Sequence, residues 1–205
     1  MPSLPFGDLA PDRADLDPGM IDVRNCLPGP SGYLPFRDLV LATNQLAARP
    51  RGAVQARDAN GDVYQYAGDA TKLYENVDGV WTDRSIAGGY GSGAGEIWEF
   101  VAWKNKILAT NFTNNPQSIT FGAANFGNLT TALKGRHIAV VRDFIVLANT
   151  FDVVDGSVPA RVRWSAFNDE TDWTVSPATL ADFQDLKVSK VERVFGGEAH
   201  ANAAH

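Results

Sequence analysis

The chain has 205 residues, a formal charge of −6, 44% apolar residues and 20% charged ones. That length can bury a sizeable core as one domain with an arm, and the apolar content excludes general disorder. The acidic balance argues against a broad basic surface for phosphates, though not against DNA that slides past without sticking.

Residues 1–35 hold seven of the eleven prolines, with Gly7, Gly19, Gly29 and Gly32 among them. Proline fixes φ and glycine frees it, so Met1 to Pro35 is expected to be an extended arm with turns, neither helix nor central strand. Its apolar residues (Leu4, Phe6, Leu9, Met20, Ile21, Val23, Leu27, Tyr33) are too many for a loose tail, which points to an arm lying along the body or along a neighbouring subunit. No basic and apolar leader pattern opens the chain. Cys26 is the single cysteine, so no intrachain disulfide can form. From Phe36 to Ala48 strand and helix propensities compete, and Arg49-Pro50-Arg51-Gly52 closes the segment either way.

From Ala53 the pattern is β. Ala53–Arg57 and Val63–Ala67 flank Asp58-Ala59-Asn60-Gly61-Asp62, and Asn-Gly between β-prone runs is a strong hairpin signal. Lys72–Glu75 and a strand starting at Val80-Trp81 complete a first unit around Val77-Asp78-Gly79. The Gly-rich run Gly88 to Gly95 has few side chains to bury and is expected to be a mobile loop. A second unit runs from Ile97 to about Leu129, with strands near 97–103, 106–111 and 117–121 and a closing aromatic, Phe126. A third runs from His137 to about Val175, with strands near 137–142, 144–149 and 160–166 and a closing aromatic, Trp173.

The second and third units read as variations on one unit. Residues 98–111 align with residues 136–149 at an offset of 38, and the polar pairs Lys104-Asn105 and Arg142-Asp143 fall at the same point, as a hairpin turn would. A repeat of that size suits one four-stranded propeller blade. The expected fold is therefore all-β: about three propeller-like antiparallel blades over 36–198, an incomplete set, with the arm before them and an Ala-rich tail at 199–205 after them. Three units do not close a propeller, so either a subunit interface covers the open edges or the chain is part of a longer design. Whether Val188–Phe195 completes the third unit or starts a fourth is open. The longest apolar run, Ile138 to Ala148, is interrupted by Arg142-Asp143 and too short to span a bilayer.

Candidate chemistry is sparse. Asp58-x-Asn60-x-Asp62 has the first ligand spacing of a calcium loop, but Val63 and Asp69 stand where Gly and Glu are needed, so a hairpin tip is the expectation. Val77-Asp78-Gly79-Val80-Trp81 resembles the core of an Asp-box hairpin, a structural element. Asp169, Glu170 and Asp172, with Asp152 and Asp155 near in sequence, could supply paired carboxylates for glycoside hydrolysis, yet their Asn/Asp/Thr-rich setting reads as solvated loop tips. His137, His200 and His205 have no partner at zinc spacing, no Gly-x-Ser-x-Gly elbow occurs, and the glycine run lacks the Lys-Ser/Thr end of a phosphate loop. No catalytic, cofactor-binding or metal residue is assigned, and the expectation is a protein that is not an enzyme.

Tyr66-Ala67-Gly68-Asp69-x-Thr71-Lys72-Leu73-Tyr74, then Arg161-Val162-Arg163-Trp164-Ser165-Ala166, Trp173, Ala181-Asp182-Phe183-Gln184-Asp185-Leu186 and Gly196-Gly197-Glu198 together resemble one family. It is the tail hub or nozzle proteins of short-tailed bacteriophages, the group that includes packaged-DNA stabilisation proteins, and the resemblance covers the N-terminal half over roughly residues 30–198. It implies a virion protein, made in the host cytoplasm, that forms a sixfold ring below the portal and head-tail adaptor. Such a ring contacts other tail proteins or fibres, extends the channel through which genomic DNA passes, and retains DNA until ejection, with no membrane insertion. Family members usually continue past Gly-Gly-Glu, whereas this chain turns into Ala199 to His205, so the tip and later blades are expected to be absent or on another chain. Two other readings compete with it. One is a carbohydrate-binding or carbohydrate-cleaving propeller with Trp81, Trp98, Trp103, Trp164 and Trp173 as stacking platforms; the other is a generic β-rich interaction module. Exposed tryptophans beside paired carboxylates favour the carbohydrate reading, and tryptophans buried between blades favour assembly.

Overall fold

Turn residues set the frame of this computed structural model, which describes residues 24–29, 32–35, 40–188 and 191. Asp58 Oδ1 accepts the N–H groups of Asn60 and Asp62 at 2.9 Å each, and Gly61 takes φ 92°. The chain therefore reverses between β3 (Gly52–Arg57) and β4 (Val63–Gly68). Asp78 and Gly79, at φ 51° and 84°, reverse it again between β5 (Leu73–Val77) and β6 (Val80–Asp83), because a two-residue hairpin needs positive φ to match strand twist. The four strands form one antiparallel meander, the first sheet.

The second sheet repeats the plan with β7 (Glu99–Trp103), β8 (Lys106–Thr110), β9 (Gln117–Thr120) and β10 (Gly127–Asn128). The third comprises β11 (Leu133–Val141), β12 (Phe144–Asp152), β13 (Gly156–Trp164) and β14 (Asp182–Asp185). The copied turn is visible in the backbone, since Lys104 and Arg142 take φ 53° and 52° at corresponding positions. A further hairpin, β1 (Cys26–Gly29) with β2 (Gly32–Pro35), lies within the arm residues. Its prolines are tolerated because neither strand is central. The fold is all-β, with four antiparallel sheets and no helix among the described residues. None of those residues forms a helix long and apolar enough to cross a membrane.

Contacts divide the chain into Met1–Ala42 and Thr43–His205. Within the second unit, β7 lies beside both β3 and β11, so each sheet meets the next through its first strand. Two apolar seams follow. Tyr66, Leu73, Trp98, Ile107, Ile119 and Phe126 fill the seam between the first and second sheets. Trp103, Leu108, Ile138, Ile145, Leu147 and Trp173 fill that between the second and third. The repeat explains the order: Ile107 and Ala109 face the preceding sheet, and Ile145 and Leu147, 38 residues later, do the same.

The third sheet departs from expectation at both ends. β11 begins at Leu133, not His137, β12 runs on to Asp152, and β13 starts at Gly156 after a register shift between Ala148 and Thr150. The fourth strand is Asp182–Asp185, beyond the predicted end near Val175, because residues 165–181 loop out before the chain returns to pair with β13. Residues 40–48 form neither strand nor helix. The tail 199–205, Gly196-Gly197-Glu198 and, apart from Val188 and Val191, the segment 188–195 lie outside the described residues.

Candidate functional site

The residues singled out for chemistry are spread over separate turns and seams. The Asp58, Asn60 and Asp62 group is a hairpin tip whose Asp58 carboxylate is spent on the turn's own amides. Asp152 caps the β12–β13 turn by accepting the N–H groups of Val154 and Asp155 at 2.9 and 2.8 Å. Asp169 and Asp172 cap local turns at Thr171 and Thr174. Asp152 is buried, against the solvated-tip expectation, and Glu170 corrects that expectation too, because it is buried. Its carboxylate pairs with Lys106 and accepts from Trp103 Nε1 at 3.0 Å, so a loop of the third sheet is bolted to β7 and β8 of the second. Asp169, Glu170 and Asp172 therefore act in separate turns and ties, and Asp152 and Asp155 meet on one cation, Arg161. His137 is buried, with Nδ1 2.8 Å from Glu99 Oε1 across the β7–β11 seam. His200 and His205 lie outside the described residues. No group of three or more His, Cys, Asp or Glu among the described residues could hold a metal ion.

The tryptophans do not form a platform. Trp98, Trp103 and Trp173 are buried in the seams, and Trp81 and Trp164 are half-buried. Every indole N–H is occupied: Trp81 by Thr43 Oγ1, Trp98 by Asp69 O, Trp103 by Glu170, Trp164 by Leu180 O and Trp173 by Glu170 O. Three of the five tryptophans, Trp98, Trp103 and Trp173, are thus buried between sheets, and none of these is an exposed stacking surface.

The Gly-rich run is not a loose loop. Tyr90 is buried and stacks edge-on against Trp98 with ring centroids 5.0 Å apart. Burial pushes its hydroxyl up to about 12, so the group stays protonated and donates to Gln117 Oε1 at 3.1 Å. The backbone N–H groups of Tyr90 and Ser92 donate to Thr71 O and Ala70 O at 2.8 and 3.2 Å, and Arg51 reaches Ser92 Oγ at 2.8 Å. Gly93, Ala94 and Gly95 stay exposed, and Tyr90, with help from Ser92 and Arg51, anchors the first part of the segment. Beside it lies a groove of about 530 Å³ lined by Thr71, Lys72, Asp83, Ser85 and Tyr90. Its two charged residues, Lys72 and Asp83, neutralise each other at 2.6 Å, which leaves no convergent charge for a ligand.

Sequence reasoning missed a charged cluster at the outer rim of the third sheet. Arg161 is buried, forks onto Asp185 at 2.7 and 3.0 Å, and also pairs with Asp155 and Asp152. The available signal was Arg-x-Arg in a strand, since residues two apart share a face. Arg163, the second of the pair, donates to Trp173 O at 2.8 Å.

Three buried or half-buried carboxylates are held below the ordinary range. Burial alone would raise Asp69, but N–H groups of Thr71 and Lys72 and the hydroxyls of Tyr74 and Thr71 outweigh it. For Asp152 the Asp155 N–H lowers the value most, and burial opposes it. For Glu170 burial again pulls up, and Lys106 and Trp103 pull down further. A carboxyl depressed in the folded state stabilises above its unfolded value, and that stability is lost as pH falls through the folded value. We predict a thermal midpoint that is flat between about pH 6 and 8 and falls progressively below about pH 4, with Asp152→Asn showing a shallower acid limb. Calorimetry across about pH 2.5 to 8 checks it; a midpoint unmoved below about pH 4 contradicts it.

No protein-family model matches this chain, and no curated protein matches it.

Proposed function

We propose that the chain is a structural protein of a phage tail, a nozzle or hub whose propeller-like blades assemble into a ring below the portal and adaptor. The ring extends the DNA channel and helps retain the genome until ejection. The observation that carries this reading is where its most chemically capable side chains go. Trp98, Trp103, Trp173 and Glu170 join sheet to sheet instead of lining a cleft. Each sheet is a meander that meets its neighbour through its first strand, which is how blades are arranged around a propeller axis. The formal charge of −6 suits a conduit through which DNA slides without adhering. The sixfold stoichiometry follows the resemblance to tail hub proteins.

Light scattering on the purified chain, with and without a phage portal–adaptor complex, tests the proposal. A closed ring is expected, formed alone or on the adaptor; a persistent monomer that ignores the adaptor overturns it. Removal of residues 1–35 is expected to abolish ring formation while leaving the melt of the blades within a few degrees of the full chain. An unchanged ring would show that the arm is not an assembly element.

A further inference from the structure

The third sheet has two faces with different fates. Ile138, Val140, Ile145 and Leu147 face the second sheet. The alternate residues face away from it, since successive strand residues point to opposite sides. This outer face has a buried centre, Ala139, Val146 and Ala148, ringed by Val141 and the half-buried Phe144, Val162 and Trp164 and extended by Phe167 and Leu180. Phe167 stacks edge-on against Phe144 at 5.8 Å, and Leu180 O accepts the Trp164 indole N–H. Phe167 and Leu180 are 54% and 53% exposed, and Val141 is exposed too.

The repeat shows what this face is for. The residues 38 positions earlier than Ala139, Val141 and Val146 are Val101, Trp103 and Leu108. Those three are covered by the third sheet in the second seam. The third sheet thus keeps the apolar outer face of a covered sheet. The outer side of the first sheet, at the other end, also carries Tyr74 and Trp81, but both are buried or half-buried and bonded locally, to Asp69 and to Thr43 Oγ1. There an amide row runs across the strands, with Gln65 Nε2 donating to Gln55 Oε1 at 3.1 Å and Asn76 Nδ2 donating to Gln65 Oε1 at 2.7 Å. A polar face of that kind is a solvated end, so the first sheet of another copy is a poor cover for the third.

A second apolar surface is presented by the arm. Leu27 and Leu34 are cross-strand partners in the β1–β2 hairpin and both are exposed, Leu34 by 58%. Val40 and Leu41 are exposed by 87% and 84%. A lone two-stranded hairpin is marginal in water and needs a surface to pack on. The chain enters the blades at the first sheet, where Asn44 donates to Gly79 O at 2.9 Å and accepts from Trp81 N–H at 2.8 Å. The second sheet stands between that entry point and the outer face of the third.

Resting on the ring reading above, we propose that this outer face receives the arm of a second copy, whose Leu27, Leu34, Val40 and Leu41 pack on Val141, Trp164, Phe167 and Leu180. The contact is heterologous, arm to sheet face, and a contact of that type forms a ring when the rotation between copies closes.

Cys26 lies in β1, is exposed and is the chain's only cysteine, which makes it a native probe. The wild-type chain, whose one thiol is in the arm, is mixed under mild oxidation with Cys26→Ser/Phe167→Cys, whose one thiol is on the outer face. Cys26→Ser/Leu180→Cys is run in parallel, and Cys26→Ser/Gln55→Cys on the polar end face is the control. A reducible band at twice the monomer mass, containing both chains by mass spectrometry, is expected for the first two mixtures and not for the control. Light scattering on the same samples separates the two ideas. Oligomers without the cross-link overturn the arm contact and leave the ring; monomers without it overturn both. A cross-link equal in all three mixtures, or one that forms only within a single chain when Cys26 and Phe167→Cys are combined, also overturns the contact.

Discussion

Replacing Trp98 with alanine is expected to cost about 3–5 kcal/mol, the range for removing a buried large aromatic. The residue is more than apolar filler. Its backbone N–H donates to Arg51 O at 2.9 Å and its indole N–H to Asp69 O at 2.8 Å, so one residue closes the seam between the first and second sheets at two points. The surrounding glycines are there to admit it. A Cβ on Gly52 would stand 2.2 Å from Trp98 O, and one on Gly68 would stand 2.4 Å from Trp98 Cδ1. The backbone has therefore closed down around the indole, and it cannot close further to fill the cavity that alanine leaves. Tyr90 also loses its ring partner, so the Gly-rich segment should become cleavable by protease under conditions where the wild type resists. Trp98→Phe keeps most of the apolar contact but orphans the Asp69 carbonyl, and its cost should fall between wild type and alanine. Denaturant melts with limited proteolysis read both effects. A loss under about 1 kcal/mol with the loop still protected would show that the seam does not depend on this side chain.

Much of the first sheet could be read from local chemistry. Asn60-Gly61 and Asp78-Gly79 specify turns by themselves, and the strands between them fell within a residue or two of expectation. The second and third sheets were legible because one copy of a repeat supports the other; Lys104-Asn105 and Arg142-Asp143 are ambiguous singly and are a turn signal as a pair. What escaped has a common cause. Glu170 sits in an acidic, turn-rich segment, and only the approach of Lys106 and Trp103, 64 and 67 residues away in sequence, makes it a buried tie. Tyr90 sits in a glycine run whose flexibility is local, whereas its anchoring by Trp98 and Gln117 is not. β14 was missed because Asp182-Phe183-Gln184-Asp185 is exposed throughout and carries no core-facing alternation. Its place is set by pairing with β13 and by a cation, which local patterning does not report.

That cation gives the second large effect. Arg161→Ala is expected to destabilise the fold by about 3 kcal/mol, the low end for breaking a buried ion pair, because Asp155 and Asp185 are themselves about half exposed and well screened. The guanidinium links three elements. It forks onto Asp185 in β14, reaches Asp152 and Asp155 at the β12–β13 turn, and lies 4.0 Å over the Phe183 ring. Without it β14 keeps a four-residue ladder along one edge, so hydrogen exchange at residues 182–185 should quicken before the rest of the sheet responds. Arg161→Lys should not restore protection, since an ammonium has no planar fork to match the two oxygens of Asp185. The origin of the loss can be tested by acid. If alanine costs stability because it strands carboxylates, the gap between variant and wild type narrows as pH falls below about 4, where those carboxylates protonate. If it costs stability because packing on Phe183 is lost, the gap does not change with pH, and Arg161→Met should close most of it. The geometry favours the first outcome, because Arg161 holds Asp185 at 2.7 and 3.0 Å together with Asp155 and Asp152, and Arg163, 3.6 Å from Asp152, offers a substitute cation to that one carboxylate alone.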